Sequence, residues 1–574
     1  MTAVYKPTEE QTALIEHTGS AFVTACPGAG KTRTMVERAR NALDNSKDGR
    51  SLAFLSFTHA AVDEIESRLR NLSVLPVPLF PNYIGTFDSF LWQFFIVPFG
   101  VPNCTERPIL VPDKSNWTVK PFTTAQELEL RCFDRETGKA DPKLLKEVRF
   151  DTRTRSIAPY ETRALAMIND AKRNGRIDFE DLREIAHFRL ANSELSKRLG
   201  QALSGRFSEI IVDEAQDCNP SDLAIVDWMK KSGIAVKLIC DPNQAIYQFR
   251  GGVTEELSDF SKNFDSESCL IMSGNFRSSP AICKAVVQLR PPSQRSNPDS
   301  PLGQNKDERA PVYILSYNGN GVSKKIGPTF QKLVMKLGIS INSAPVVAST
   351  KASACKAIGQ PVPKPTKNLT LLLAKASMEY QFAFARGNRR DALTNLHRIV
   401  LLVRQRINSI GEYHTYIANE GINDSDWRPE IISLANILQY KSSEGADEWL
   451  RRAHDCLGEG LVGKTIKQRL KKDAALTSAL IAPPENSVPA RTIHSVKGLE
   501  YPAVCVVMTK TAKGIIDLLE GKDSLTSAEE ARKIYVGASR AERLLAIAIP
   551  KSQADRLYNL FKQVNCEVEL VEIE

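Results

Sequence analysis

The sequence predicts an α/β protein built on two doubly wound parallel sheets, each interrupted by a helical insertion. Three observations predict it. Short apolar, β-branched runs at 21–25 (AFVTA), 52–57 (LAFLSF), 209–213 (EIIVD) and 236–240 (VKLIC) are each followed by turn or helix signals. That is how buried strands of a parallel sheet read. A second series at 268–272 (SCLIM), 311–316 (PVYILS), 345–349 (PVVAS), 503–508 (AVCVVM) and 544–549 (LLAIAI) predicts a second sheet. Finally, 91–199 starts aromatic-rich and turns helical and charged, while 353–485 is helical by composition. Each stretch reads as an insertion. The expected division is therefore 1–90 with 200–267, and 268–352 with 486–574, around insertions at 91–199 and 353–485. The Pro/Ser/Asn-rich stretch 291–310 reads as a loop.

Composition excludes several classes. The chain has 574 residues, 42% hydrophobic and 25% charged, ordinary values for a globular protein and enough for several cores. Collagen-like, disordered and disulfide-scaffold chains are ruled out. Lys and Arg number 76 against 67 Asp and Glu, a net charge of +9 that permits an anionic partner without demanding one. The eleven cysteines, Cys26 to Cys566, include no C-x-x-C pair. This argues against a zinc finger or redox dithiol and for free thiols in a reducing compartment. No apolar run reaches the roughly 18 residues of a spanning helix, and MTAVYKPTEEQ lacks a signal-peptide layout. A cytoplasmic protein with no membrane partner is expected.

Residues 25–32 read ACPGAGKT, a phosphate-binding loop in which Ala25 stands where the first glycine is usual. Strand 21–25 delivers the loop. Cys26, Pro27, Gly28, Ala29 and Gly30 let backbone N–H groups approach phosphate oxygens, and the following helix points its positive end at the anion. Lys31 is placed to reach the β- and γ-phosphates of ATP, and the Thr32 hydroxyl to ligand Mg²⁺. A second string, GEGLVGKT at 458–465, matches the same spacing. It follows a helical stretch (ADEWLRRAHDCL) instead of a strand, so its glycines read as a helix cap and turn.

At 210–217 the chain reads IIVDEAQD. A buried strand ending in Asp-Glu suits a metal-dependent nucleotide hydrolase. Asp213 can hold Mg²⁺ through its water shell, and Glu214 can polarise the attacking water.

Taken in order, these strings resemble the UvrD/Rep/PcrA family of superfamily 1 helicases. ACPGAGKT resembles motif I, LSFTHAAVDEIESRL (55–69) motif Ia, GTFDSF (85–90) motif Ib, and VDEAQD (212–217) motif II. RIDFEDL (176–182) resembles the segment before motif II. CDPNQAIYQFRGG (240–252), NFRS (275–278), TIHSVKGLEYPAV (492–504) and EEARKIYVGASRA (529–541) resemble motifs III to VI. The resemblance implies two RecA-like P-loop NTPase domains, 1A and 2A, with ATP between them, and helical insertion domains 1B and 2B. It also implies 3′-to-5′ translocation on single-stranded DNA and action at single-strand/duplex junctions.

Carried over residue by residue, the resemblance makes Gln244 the γ-phosphate sensor and Arg277 and Arg540 arginine fingers. Gln11 reads adenine, Arg33 and Phe276 sandwich it, and Glu500 contacts the ribose. Phe57, Thr58, His59, Thr86, Phe87, Tyr247, Phe249, Arg250 and His494 match positions lining the family's DNA groove. There, aromatic rings stack on bases without regard to sequence, and hydroxyls and Arg hold phosphates.

Departures are Phe249 where Trp is common, Ser539 for Thr, and His59 where Asn is common. The insertions look trimmed, so the resemblance carries ATP hydrolysis further than unwinding. A second reading is a DNA-sensing ATPase subunit with an OLD-family nuclease as partner, as in Gabija anti-phage systems.

Overall fold

The computed structural model describes residues 6–44, 49–71, 80–111, 113–246, 254–319, 321–360, 366–386, 389–413, 416–417, 420, 422, 424–441, 443–458, 465–480, 488–522 and 527–573. The chain divides into two compact units. One comprises 1–90, 187–363 and 484–574, and the other 91–186 and 364–483.

The first unit holds two six-stranded parallel sheets. In the first lobe the strands are β1 (Ala21–Ala25), β2 (Ser51–Ser56), β3 (Tyr83–Thr86), β4 (Phe207–Val212), β5 (Ala235–Cys240) and β6 (Cys269–Met272), in the order β6-β1-β5-β4-β2-β3. The second lobe has β7 (Val312–Tyr317), β8 (Val346–Ala348), β9 (Ala490–Thr492), β10 (Tyr501–Val507), β11 (Ala541–Pro550) and β12 (Val568–Ile573), in the order β9-β8-β10-β11-β7-β12. The apolar runs form the strand interiors. Val23, Phe54, Ile211 and Ile239 are buried in the first lobe, and Ile314, Val347, Val506 and Ile547 in the second. The pattern reading passed over β3, β9 and β12. The last lies at a sheet edge and is interrupted by Glu569 and Glu572 (VELVEI), so it carries no continuous apolar run.

One strand changes lobes relative to expectation. Residues 269–272 were expected to open the second domain. They pair with β1 instead, Phe22 opposite Cys269 through Ala25 opposite Met272. The apolar run CLIM fits either sheet by composition, and only long-range pairing decides.

The insertions also begin and end differently. Residues 187–199, expected in the first insertion, belong to the first unit. His187 Nε2 lies 3.0 Å from the Ser221 carbonyl oxygen, and Trp228 Nε1 donates to Ser196 Oγ at 2.9 Å. At the second insertion, helix Lys351–Ala357 stays with the second lobe, where Ala354 and Ala357 are buried in its core.

In the second unit, the described residues of 364–483 are mostly helical. Helices Leu369–Arg386, Arg389–Val403, Asp424–Ile437 and Ala446–Leu457 enclose Trp449, whose Nε1 donates to the Leu438 carbonyl at 2.7 Å. The other part is mixed. Alongside helix Ala158–Arg173 it carries two short strand pairs, 109–110 with 176–177 and 118–119 with 128–129. Among the described residues, no helix is long and apolar enough to cross a membrane.

Candidate nucleotide site

The chemistry-bearing residues converge on a cleft of ≈530 Å³ in the first unit. Its floor is the loop Pro27–Gly30 between β1 and helix α2 (Lys31–Asp44). Gly28 and Gly30 adopt φ of 73°, a left-handed conformation that suits glycine. The backbone is also crowded at Gly28. A Cβ there would meet Arg277 Cβ at 2.7 Å and Asn275 Oδ1 at 2.8 Å, and the Gly28 carbonyl accepts from Phe276 N at 2.9 Å. The phosphate loop of one lobe is thus held by the segment leading into the other.

Lys31, Thr32, Arg33, Asp213, Glu214, Gln244, Phe276, Arg277, Glu500 and Arg540 all line this cleft. Lys31 Nζ stands 3.6 Å from Glu214 Oε1. Burial alone would lower the Lys31 pKa, but the carboxylates of Glu214, Asp213 and Asp241 outweigh it and raise it, so the ammonium is retained. Burial and neighbouring Glu214 push Asp213 upward, while Glu214, despite its own burial, is held down by Lys31, Lys497 and Arg540. Glu214 sits at φ 55°, uncommon for a residue with a side chain. Its backbone N–H donates to Asp213 Oδ1 at 2.9 Å.

From the second lobe, Arg540 Nη2 donates to Gln244 Oε1 at 2.6 Å, and Gln244 Nε2 donates to Asp241 Oδ2 at 2.9 Å. Burial, with Arg277 adding to it, lowers Arg540 to about 10. Six cationic side chains, Lys31, Arg33, Arg68, Arg277, Lys497 and Arg540, line this cleft against five carboxylates, and the backbone N–H groups at the start of helix α2 add to the attraction for an anion such as a triphosphate. Arg277 Nε donates to Glu500 Oε1 at 2.8 Å, and its Nη1 to the Ser539 carbonyl at 2.8 Å. Glu500, expected at a ribose, therefore pairs with Arg277. The residues fit a magnesium ion as well. Asp213 is 4% exposed beside a second carboxylate, and a divalent cation there would offset the solvation lost on burial and the repulsion from Glu214.

Several expected residues lie elsewhere. Ala25 and Cys26, expected at the nucleotide, line a separate cavity of ≈770 Å³. The Cys26 N–H is taken by the Met272 carbonyl at 2.9 Å, an extension of β1–β6 pairing that points it away from the loop. Gln11 stands behind the loop. It forms a capping box with Thr8 on α1 (Glu9–Glu16), and its Nε2 donates to the Ala29 carbonyl at 3.0 Å.

Among the expected DNA residues, Phe87 is 0% exposed, with Phe57 stacked on it at 5.5 Å between ring centres. It is a core residue and presents no open face to a base. Thr86 is buried, and its hydroxyl accepts from Ser89 N at 3.1 Å, which caps the following turn. Thr58 lines the nucleotide cleft, and its Oγ1 accepts from Ala61 N at 3.2 Å. His494 is half-buried on a short helix, Ile493–Val496. Tyr247, Phe249 and Arg250 lie outside the described residues, as does most of the second glycine-lysine string, and the His59 side chain is not described. The helix Ala446–Leu457 before that string matches expectation.

Sequence reasoning missed Lys497 and Asp217. They form a buried bidentate pair, Lys497 Nζ lying 2.8 and 2.7 Å from the two carboxylate oxygens. Both sit inside motif strings, the one signal that could have singled them out.

Known proteins share this pattern. The UvrD/REP helicase N-terminal domain matches residues 7–265, and the UvrD-like helicase C-terminal domain matches 373–552. ATP-dependent DNA helicase PcrA of Staphylococcus aureus is 21% identical over 94% of this chain and 82% of its own. ATP-dependent DNA helicase Rep of Buchnera aphidicola is 23% identical over 92% and 90%. A probable DNA helicase II homolog of Mycoplasma capricolum is 22% identical over 45% and 37%. With both domains matched in order, across more than half of its length, the chain belongs to the UvrD-like helicases.

Proposed function

We propose that this protein is an ATP-dependent DNA helicase, a hydrolase that moves 3′ to 5′ on single-stranded DNA and acts at single-strand/duplex junctions. The supporting observation is that one cleft gathers Lys31, Asp213, Glu214 and Gln244 from the first lobe with Arg277 and Arg540 from the second. In this reading the loop Pro27–Thr32 cradles the phosphates and Lys31 neutralises the β- and γ-oxygens. Glu214 polarises the attacking water. Arg277 and Arg540 neutralise charge that builds on the transferred phosphoryl group. Thr32 and Asp213 would hold Mg²⁺, which supplies charge neutralisation across the phosphates. Arg33 and Phe276 flank the base, with Glu500 near the ribose once Arg277 turns to the phosphates. Phe57, His59, His494 and the Tyr247–Arg250 segment are the proposed DNA contacts.

The test is steady-state ATP hydrolysis with and without single-stranded DNA. DNA should raise the rate, and Lys31→Ala and Glu214→Gln should each abolish the stimulated component. A DNA-independent rate, or one that survives both substitutions, refutes the reading. Stimulated hydrolysis with no strand displacement on a 3′-tailed duplex would instead favour a sensing subunit, and co-purification of a nuclease would support it.

A further inference from the structure

The helix Ala528–Ala538 and Arg540 grip one turn of the first lobe, Asp241–Ala245, at three points. Arg532 Nε donates to the Ala245 carbonyl at 2.8 Å, the Tyr535 hydroxyl to Asp241 Oδ2 at 3.0 Å, and Arg540 to Gln244. Arg532 and Arg540 are charged groups of the sort that reach for anions. Tyr535 is different. It is 1% exposed, reaches no part of the cleft, and lies outside the residues that touch nucleotide in the proposed mechanism.

We infer that Tyr535 is a positioning residue for hydrolysis: its hydroxyl fixes Asp241, and Asp241 fixes the amide of Gln244 toward Arg540.

The geometry leaves little freedom. Asp241 only accepts, and its Oδ1 is already taken by Asn243 N at 3.0 Å. Its Oδ2 receives both the Gln244 amide and the Tyr535 hydroxyl. Arg540 only donates. Gln244 therefore has one satisfactory orientation, Nε2 toward Asp241 and Oε1 toward Arg540. The hydroxyl direction is fixed too, because Arg290 Nη2 donates to the Tyr535 oxygen at 3.2 Å, leaving the phenol proton for Asp241. Burial and Asp241 hold the Tyr535 pKa well above its usual range, so the group stays a donor at any working pH. On the other side, Asp241 N donates to Gln216 Oε1 at 3.0 Å, and Gln216 Nε2 bonds Glu214. The chain thus runs from the proposed water-polarising carboxylate to a tyrosine of the opposite lobe.

This inference rests on the proposed ATPase reading, and its experiment separates the two. Tyr535→Phe removes one oxygen from a buried site of unchanged shape. Its kcat for DNA-stimulated ATP hydrolysis should fall roughly tenfold, the usual weight of a hydrogen bond to a charged group, with KM for ATP within about twofold. On a Gln244→Ala background the same substitution should cost nothing more, because its effect runs through Gln244. Asp241→Asn should reproduce the kcat loss, which covers the case of a Tyr535→Phe protein too unstable to assay. A Tyr535→Phe enzyme with unchanged kcat overturns the inference, as does a loss that adds in full to Gln244→Ala. Wild-type protein without DNA-stimulated hydrolysis overturns the functional reading itself.

Discussion

At the residue scale, the phosphate loop is constrained by contact as well as by conformation. Gly28 requires a left-handed backbone and has Arg277 and Asn275 packed where a side chain would go. Gly28→Ala should therefore act beyond the loop itself as well, forcing the Asn275–Arg277 segment away. Overpacking of this kind costs about 1–3 kcal/mol. The expected outcome is a lower melting temperature together with at least a ~10-fold loss in ATP affinity by equilibrium titration, the latter from displaced backbone donors and Arg277. A variant with wild-type melting and binding would show that the loop and the segment move independently. Glu214 illustrates the same coupling. Its positive φ is tolerated where neighbouring groups over-determine it, here the Asp213 carboxylate below its N–H and Gln216 on its side chain.

At the element scale, β5 carries a lysine through the middle of a buried strand. Lys237 is 0% exposed. Its Nζ donates to the His17 carbonyl at 3.1 Å, stands 2.8 Å from His17 Nδ1 and also bonds the Gly19 carbonyl. It thereby holds the C-terminal end of α1, the helix that sets Gln11 against the phosphate loop. Burial, with Arg38 adding and Glu209 opposing, lowers its pKa to about 8 from the usual 10.5. The unfolded chain thus binds more protons between these values. The cost of charging Lys237 is felt in full below about 8 and is relieved as pH rises toward 10.5. Chemical denaturation should show this contribution to stability increasing over that window. Lys237→Met should remove that increment, and a variant with the same pH slope as wild type would refute the assignment. Much of this scale was legible in advance. The strand runs, the strand-loop-helix of ACPGAGKT and the strand ending in Asp213-Glu214 all carry local signals, because a parallel strand buried on both faces reads as a near-continuous apolar run even where a single charged residue interrupts it. What was not legible depends on register between distant segments. The pairing of β6 with β1, the Lys497–Asp217 pair and the Tyr535–Asp241 bond join residues more than 200 positions apart. Phe87 was misread for a similar reason, since an aromatic next to a helix start looks alike in a core and in a groove.

At the scale of the whole molecule, the proposed hydrolysis draws on groups supplied by both lobes, since residues of both line the one cleft. Arg540→Ala removes a proposed phosphoryl-neutralising charge and the bond to Gln244 together. It should lower the DNA-stimulated kcat by about 10³-fold or more, while a fluorescent ATP analogue still binds through the first-lobe loop. Loss of analogue binding instead would place Arg540 in ground-state affinity and not in turnover. The path between the lobes adds a mechanical constraint. Met272 ends the first sheet, and Arg277 already touches Glu500 and Ser539 of the second lobe. Five peptide steps, even drawn straight, reach roughly 17 Å, and Asn275 folds them tighter by accepting from the N–H groups of Arg277 and Ser278 at 2.9 Å each. Phe276 is stitched to the Gly28 carbonyl within the same span. Any rocking of the lobes is therefore tethered on a very short leash at the phosphate end. The throw available at Arg277 is small, and larger excursions belong to parts of the second lobe farther from this pivot.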